Sequence, residues 1–164
     1  MAQYLPKILV DGMIISLIAT AFLLLIMWVN PRIMLHDYPA AIQAKVPPKT
    51  EKEKQLSYWL GIPFIIILFA GPLISALSVA EQIGSQFLML WLFTTGVMFI
   101  FNVFDWLILD WLIFCTITPK IMVIPGSEGM QEYKDYRFHF IGFLKGLIFC
   151  LLGGLIVALI AYLV

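Results

Sequence analysis

IGFLKGLIFCLLGGLIVALIAYLV, residues 141–164, carries a single charged side chain, Lys145, over its whole length. A helix rising about 1.5 Å per residue needs about 20 predominantly apolar residues to cross a hydrocarbon layer roughly 30 Å thick. This stretch is long enough. Working back along the chain, Phe87 to Cys115, Ser57 to Ser78 and Ile8 to Val29 have the same character. Amides and carbonyls have no water to bond inside lipid, so spanning segments are helices or closed barrels. Barrel strands alternate over about ten residues, and these runs are longer and uniformly apolar. The fold expected is therefore an all-α, integral membrane four-helix bundle.

Composition agrees with that reading, since 62% of the 164 residues are hydrophobic and 12% are charged. The intervening loops, residues 30–56 and 116–140, are too short to enclose a core of their own, so one transmembrane domain over 1–164 is expected. The first span continues apolar through Phe22 to Val29, beyond the small residues Ala19 and Ala21, and reads as a retained helix rather than a cleaved leader.

Basic residues set the orientation. Arg32, Lys45, Lys49, Lys52 and Lys54 lie in the first loop, and Lys120, Lys134 and Arg137 in the third connection, against Lys7 alone on the opposite side. The positive-inside rule then puts both loops in the cytoplasm and both termini outside, in a multi-pass protein of the cell membrane. Ten acidic residues balance ten basic ones. No basic stripe interleaved with aromatic residues is present, so nucleic acid is not an expected partner. The segment KVPPKTEKEK, 45–54, reads as a solvated linker stiffened by Pro47 and Pro48, its glutamates diluting any attraction to anionic lipid.

Packing signals are concentrated in the last span. Gly142, Gly146, Cys150, Gly154 and Ala158 recur every fourth residue and form one shallow stripe, the pattern by which membrane helices bring their backbones together. Another span of this chain, a second copy in a homo-oligomer, or a membrane-protein partner would each suit that face. Cys115 and Cys150 lack the close spacing of redox or zinc thiols and read as small apolar residues. Gly71-Pro72 predicts a kink near Ile67 to Gly71. Asn30-Pro31-Arg32-Ile33-Met34 and Thr118-Pro119-Lys120-Ile121-Met122 echo one another at the ends of the first and third spans. A duplicated two-span unit would produce that echo.

The third span is too long. Phe87 to Cys115 would extend about 43 Å as a straight helix, so the part beyond Trp106 is expected to run along the interface, with Trp106 and Trp111 as anchors. Asp105 and Asp110 then fall at the inner boundary, at the depth of Lys145, and an ion pair to Lys145 is the expected way to hold charge there. Asn102 shares a helix face with Asp105. Five residues turn an α-helix by about 140° beyond one revolution, so Asp105 and Asp110 face one point only if the helix is distorted.

Asp105, Asp110, His36, His139 and Lys145 are thus the candidate acid, base or charge-bearing residues. His36, His139, Glu128 and Glu132 are the candidate metal ligands, and the sequence specifies no cofactor. Neither an HExxH helix nor a GxSxG turn is present. The turn Pro125-Gly126-Ser127-Glu128-Gly129 offers amides that could hold an anion, and Asp11 stands one turn after Lys7 at the outer end of the first span. Three functions fit these features. The first is a binding or accessory component embedded in the lipid bilayer; the second is an interfacial enzyme acting on a lipid headgroup; the third is an oligomeric proton- or ion-coupled transporter.

Overall fold

A computed structural model describes every residue except Ser85. Its elements are helical: α1 (Leu5–Val29), α2 (Ala40–Lys45), α3 (Glu51–Ile83), α4 (Phe87–Phe104), a π-helical segment (Asp105–Ile117) that continues α4 directly, and α5 (Tyr136–Leu163). Short 3-10 turns at Pro31–Asp37, Lys120–Met122 and Gln131–Lys134 fill the connections. Four of these helices are long and apolar enough to cross a membrane, with the α4 span counted through to Ile117. The architecture is an all-α four-helix bundle. α4 packs on α5, α1 and α3, and α3 also contacts α1 and α5.

Local chemistry fixes the helix ends. Pro6 sits in the first turn of α1, where a missing amide hydrogen costs nothing. Asn30 ends α1 in extended backbone and accepts a hydrogen bond from the Arg32 amide at 3.0 Å. At α3, Thr50 and Glu53 form a reciprocal capping box, and Gly84 closes the helix with φ of +62°. α5 starts at a cap from Asp135, whose carboxylate accepts from the Phe138 amide at 2.9 Å. The last two starts correct the sequence reading. α3 and α5 begin within the stretches expected to be loop, because the caps, and not the onset of apolar sequence, decide where a helix begins.

The connection between α1 and α3 and the one leading into α5 fold together over one end of the bundle. Tyr38, Ile42, Met122, Ile124 and Tyr133 are buried in one cluster with Leu23 and Phe114. The Tyr38 hydroxyl donates to the Met122 carbonyl at 2.8 Å, which ties the first loop to the third connection. Burial pushes the Tyr38 phenol up, so it stays a donor. Arg32 binds Glu53 at 2.6 Å and joins the end of α1 to the start of α3. The two echoing pentapeptides both pass into 3-10 turns after a long helix.

The outward faces of the long helices carry exposed leucine and isoleucine, and exposed Trp28, Tyr58 and Trp59 ring the loop end. Such surface would be an aggregation hazard in water and is ordinary lipid contact in a bilayer, with aromatic residues at the headgroup level. α3 runs through Pro63 and Pro72 as one element.

Candidate functional site

A cavity of about 520 Å³ lies between the four long helices and reaches the loop end of the bundle, where His36 and Asp37 line it. Its deeper wall is apolar and includes Ile15, Leu68, Pro72, Met98 and Phe149, from the middle of each helix. Its loop end is polar, with His36, Asp37, Asn102, Asp105, Asp110 and His139 on the lining. Of the expected site residues, His36, His139, Asp105, Asp110 and Lys145 all line this one space.

Asp105 and Asp110 share it because of the π-helical segment. Bonding from residue i to i+5 brings side chains five apart nearly over one another, where an α-helix would separate them. The final bond of this type runs from the Thr118 amide to the Ile113 carbonyl at 2.9 Å, after which Thr118 turns left-handed, with φ of +48°, and Pro119 stops the helix. Contacts to α5 hold the unusual winding. Trp106 stacks on Phe143 with ring centroids 4.4 Å apart, and the Trp111 indole donates to the Tyr136 carbonyl at 3.3 Å. Trp106 is thus packed between helices, against Phe140 and Phe143, and the segment carries α4 onward along α5.

The ion pair in this cavity is also not the one expected. Asp110 Oδ1 lies 3.0 Å from His139 Nδ1, whereas neither aspartate pairs with Lys145 among the described residues. The reason lies in the start of α5. With the helix beginning at Tyr136, His139 belongs to its first turn and meets the π-wound Asp110, while Lys145 is exposed at the cavity margin.

An ionised carboxylate only accepts, so His139 donates Nδ1–H to Asp110; in the neutral ring Nε2 then carries a lone pair, and in the imidazolium a second N–H. His139 is 6% exposed and packs against the rings of Phe114 and Phe138. Its Nε2 is buried without a partner, as are Asp105 Oδ1 and the Trp106 indole nitrogen. Buried polar atoms in folded proteins are normally satisfied, and three unsatisfied ones on the wall of one cavity mark it as a place for a ligand or water. Asn102 donates instead to the Phe143 carbonyl at 3.1 Å and lies against Gly146.

Asp37 joins the site from the 3-10 turn after α1, 3.3 Å from His36 and with its side chain 48% exposed. The surrounding protein raises its carboxyl above the usual 3.8 by desolvation; His36 and Lys49 oppose the shift, Asp110 adds to it and His139 opposes it. The proton is thus held more tightly in the folded chain. Stability contributed by this group is complete below the unfolded value and is lost as pH rises through the folded one. Relative to Asp37→Asn, wild type should lose thermal stability as pH rises from about 4. A difference that stays flat or grows in that direction would count against a raised Asp37.

Other expected ligands lie apart. Glu128 accepts from the Gly126 amide at 2.9 Å, which lowers its carboxyl along with its own backbone amide, and neither it nor Glu132 lines the cavity. The turn amide considered for an anion is therefore already occupied by the chain's own carboxylate. Among the described residues no three His, Cys, Asp or Glu side chains stand close enough to hold a metal. At the opposite end of the bundle Lys7 and Asp11 pair at 2.8 Å, and Ser75 of α3 donates to the same carboxylate.

The stripe on α5 faces α4. Cys150, Gly154 and Ala158 are buried, Gly146 meets Asn102, Gly154 meets Thr95, and Gly142 stands free at the cavity lining. Sequence reasoning grouped Asp37 with the polar loop residues without ranking it as a candidate, and put His139 in a loop. Asp135 followed by an aromatic-rich apolar run was the cap signal that would have placed His139 on α5.

No protein-family model, curated protein or solved structure matches this chain. Fold and composition define its class: a small multi-pass membrane protein built as a four-helix bundle.

Proposed function

We propose that the protein binds one amphipathic molecule of the bilayer in the inter-helix cavity and exchanges a proton with its headgroup through His139. The observation that carries this reading is the Asp110–His139 pair on the cavity wall, with Nε2 buried and unpartnered. Ligand sites are typically apolar concavities with a few convergent polar groups. A carboxylate that fixes one ring nitrogen leaves the other oriented as a general base, which can return the proton as a general acid. Hydrolysis or transfer at a lipid headgroup is the reaction class that uses such a pair beside an apolar slot. The loop end of the bundle is then cytoplasmic, on the strength of its basic residues, and tag accessibility of the 45–54 segment reads the side directly.

Native mass spectrometry of the chain released from bilayers tests binding. Wild type should carry one retained amphiphile per chain. Gly142→Phe should lose it, because nothing lies within 4 Å of a side chain added at Gly142 and the ring would fill the cavity head. A bare wild-type chain, or unchanged occupancy in the variant, would overturn the reading.

A further inference from the structure

We infer that the headgroup this cavity accepts is a primary ammonium, so that the ligand class is an alkyl or acyl amphiphile bearing N–H donors on a cationic head. The inference rests on the amphiphile-binding reading and adds to it the chemistry of the head. Its basis is the donor and acceptor inventory of the cavity's polar end.

Asp105 Oδ1 and His139 Nε2 are buried and unpartnered, and a carboxyl oxygen and a neutral imidazole nitrogen are acceptors. Against these two acceptors the same wall offers one unpartnered donor, the Trp106 indole nitrogen. Among these buried atoms acceptors outnumber donors, and a ligand that supplies hydrogens satisfies them. Charge points the same way. Asp37, Asp105 and Asp110 line the space, with His36 and His139 between them. Lys145 is an exposed residue at the margin, whose long stem lets its ammonium turn to the water layer. Lys49 of the first loop is bound to the Ile33 carbonyl and to Ser57, and lies 3.3 Å from Nδ1 of His36. A phosphate or sulfate head would meet three aspartates, against Lys145 at the margin and the Trp106 indole nitrogen as donors.

An ammonium head answers each requirement. Its N–H groups bond Asp105 Oδ1 and His139 Nε2, its charge offsets the carboxylates, and hydrogen bonds between charged partners are about twice as strong as neutral ones. Phe101, Trp106 and Phe143 line the same end, and aromatic faces attract cations where water is excluded. The head also accounts for His139. Neutral Nε2 can take a proton from the ammonium, leaving a free amine and an imidazolium balanced by Asp110, and return it afterwards.

The test uses the full chain in maltoside micelles and four probes of one chain length: dodecylammonium, dodecyltrimethylammonium, dodecanol and dodecyl phosphate, each read by the shift in thermal midpoint with concentration. Dodecylammonium should bind about tenfold or more tighter than the trimethyl and alcohol probes, the difference expected for one charge-assisted bond. Dodecyl phosphate should be weakest. Asp105→Asn should erase most of the preference for dodecylammonium over dodecyltrimethylammonium; the wild-type series decides the matter even if that variant does not fold. Equal affinities, or a preference for the phosphate, would overturn the ammonium head while leaving amphiphile binding intact. Failure of all four probes to bind would remove the amphiphile reading itself.

Discussion

Replacing Gly154 with leucine should separate α4 from α5 and destabilise the bundle by about 1–3 kcal/mol, as overpacking a tight contact does. A Cβ at Gly154 would lie 2.9 Å from both the amide nitrogen and the Cα of Thr95, and backbone, unlike the tip of a side chain, has no rotamer by which to retreat. Two bonds cross the same contact. Thr94 donates to the Gly154 carbonyl at 2.8 Å and the Trp91 indole to the Leu151 carbonyl at 3.0 Å. Lipid is as apolar as the helix faces, so close approach and such bonds carry the association that the hydrophobic effect supplies in water. Unfolding in mixed micelles titrated with denaturing detergent measures the effect. Gly142→Ala, with open space around it, is the control and should leave the midpoint unchanged. A leucine variant as stable as wild type would show that α4 and α5 are not held by this contact.

The sequence displays some of this architecture openly and hides the rest for identifiable reasons. Uniform apolarity over the length of a bilayer is a strong signal, which is why all four spans are visible from residues such as 141–164 alone. Helix starts are set by single polar residues, and an onset of apolar sequence at Ser57 conceals the capping box at Thr50 and Glu53. The site was legible as a list and not as a geometry. Asp105, Asp110, His36, His139 and Lys145 stand out as charges where charge is costly. Their partners depend on helical winding, and no periodicity argument built on 3.6 residues per turn announces thirteen residues of π-helix. Once that winding is given, Asp110 lies over Asp105, and the cap at Asp135 brings His139 to it. Lys145, six residues further along α5, then has no role in the pair.

Asp110→Ala and Asp110→Asn should behave differently, and the difference separates a hydrogen bond from a charge. Alanine leaves the buried Nδ1–H of His139 without an acceptor in a ring whose Nε2 already has none, which costs about 1–3 kcal/mol. Asparagine keeps an oxygen that can accept from Nδ1 and should keep most of the stability. Nitrogen-15 spectra of the imidazole follow the same logic. Wild type should show one tautomer with the hydrogen on Nδ1, the asparagine variant should retain it, and the alanine variant should show a mixture. Proton exchange with a bound headgroup asks more than a bond, because only a carboxylate stabilises the imidazolium that forms. Turnover should therefore fall in both variants, and His139→Gln, which removes the base altogether, should lose about 10²- to 10⁴-fold. Were Asp110→Ala to keep both its stability and a single His139 tautomer, the pair would be a bystander on the cavity wall, and the acid–base role would have to move to Asp105, the remaining buried group there with an unpartnered acceptor atom.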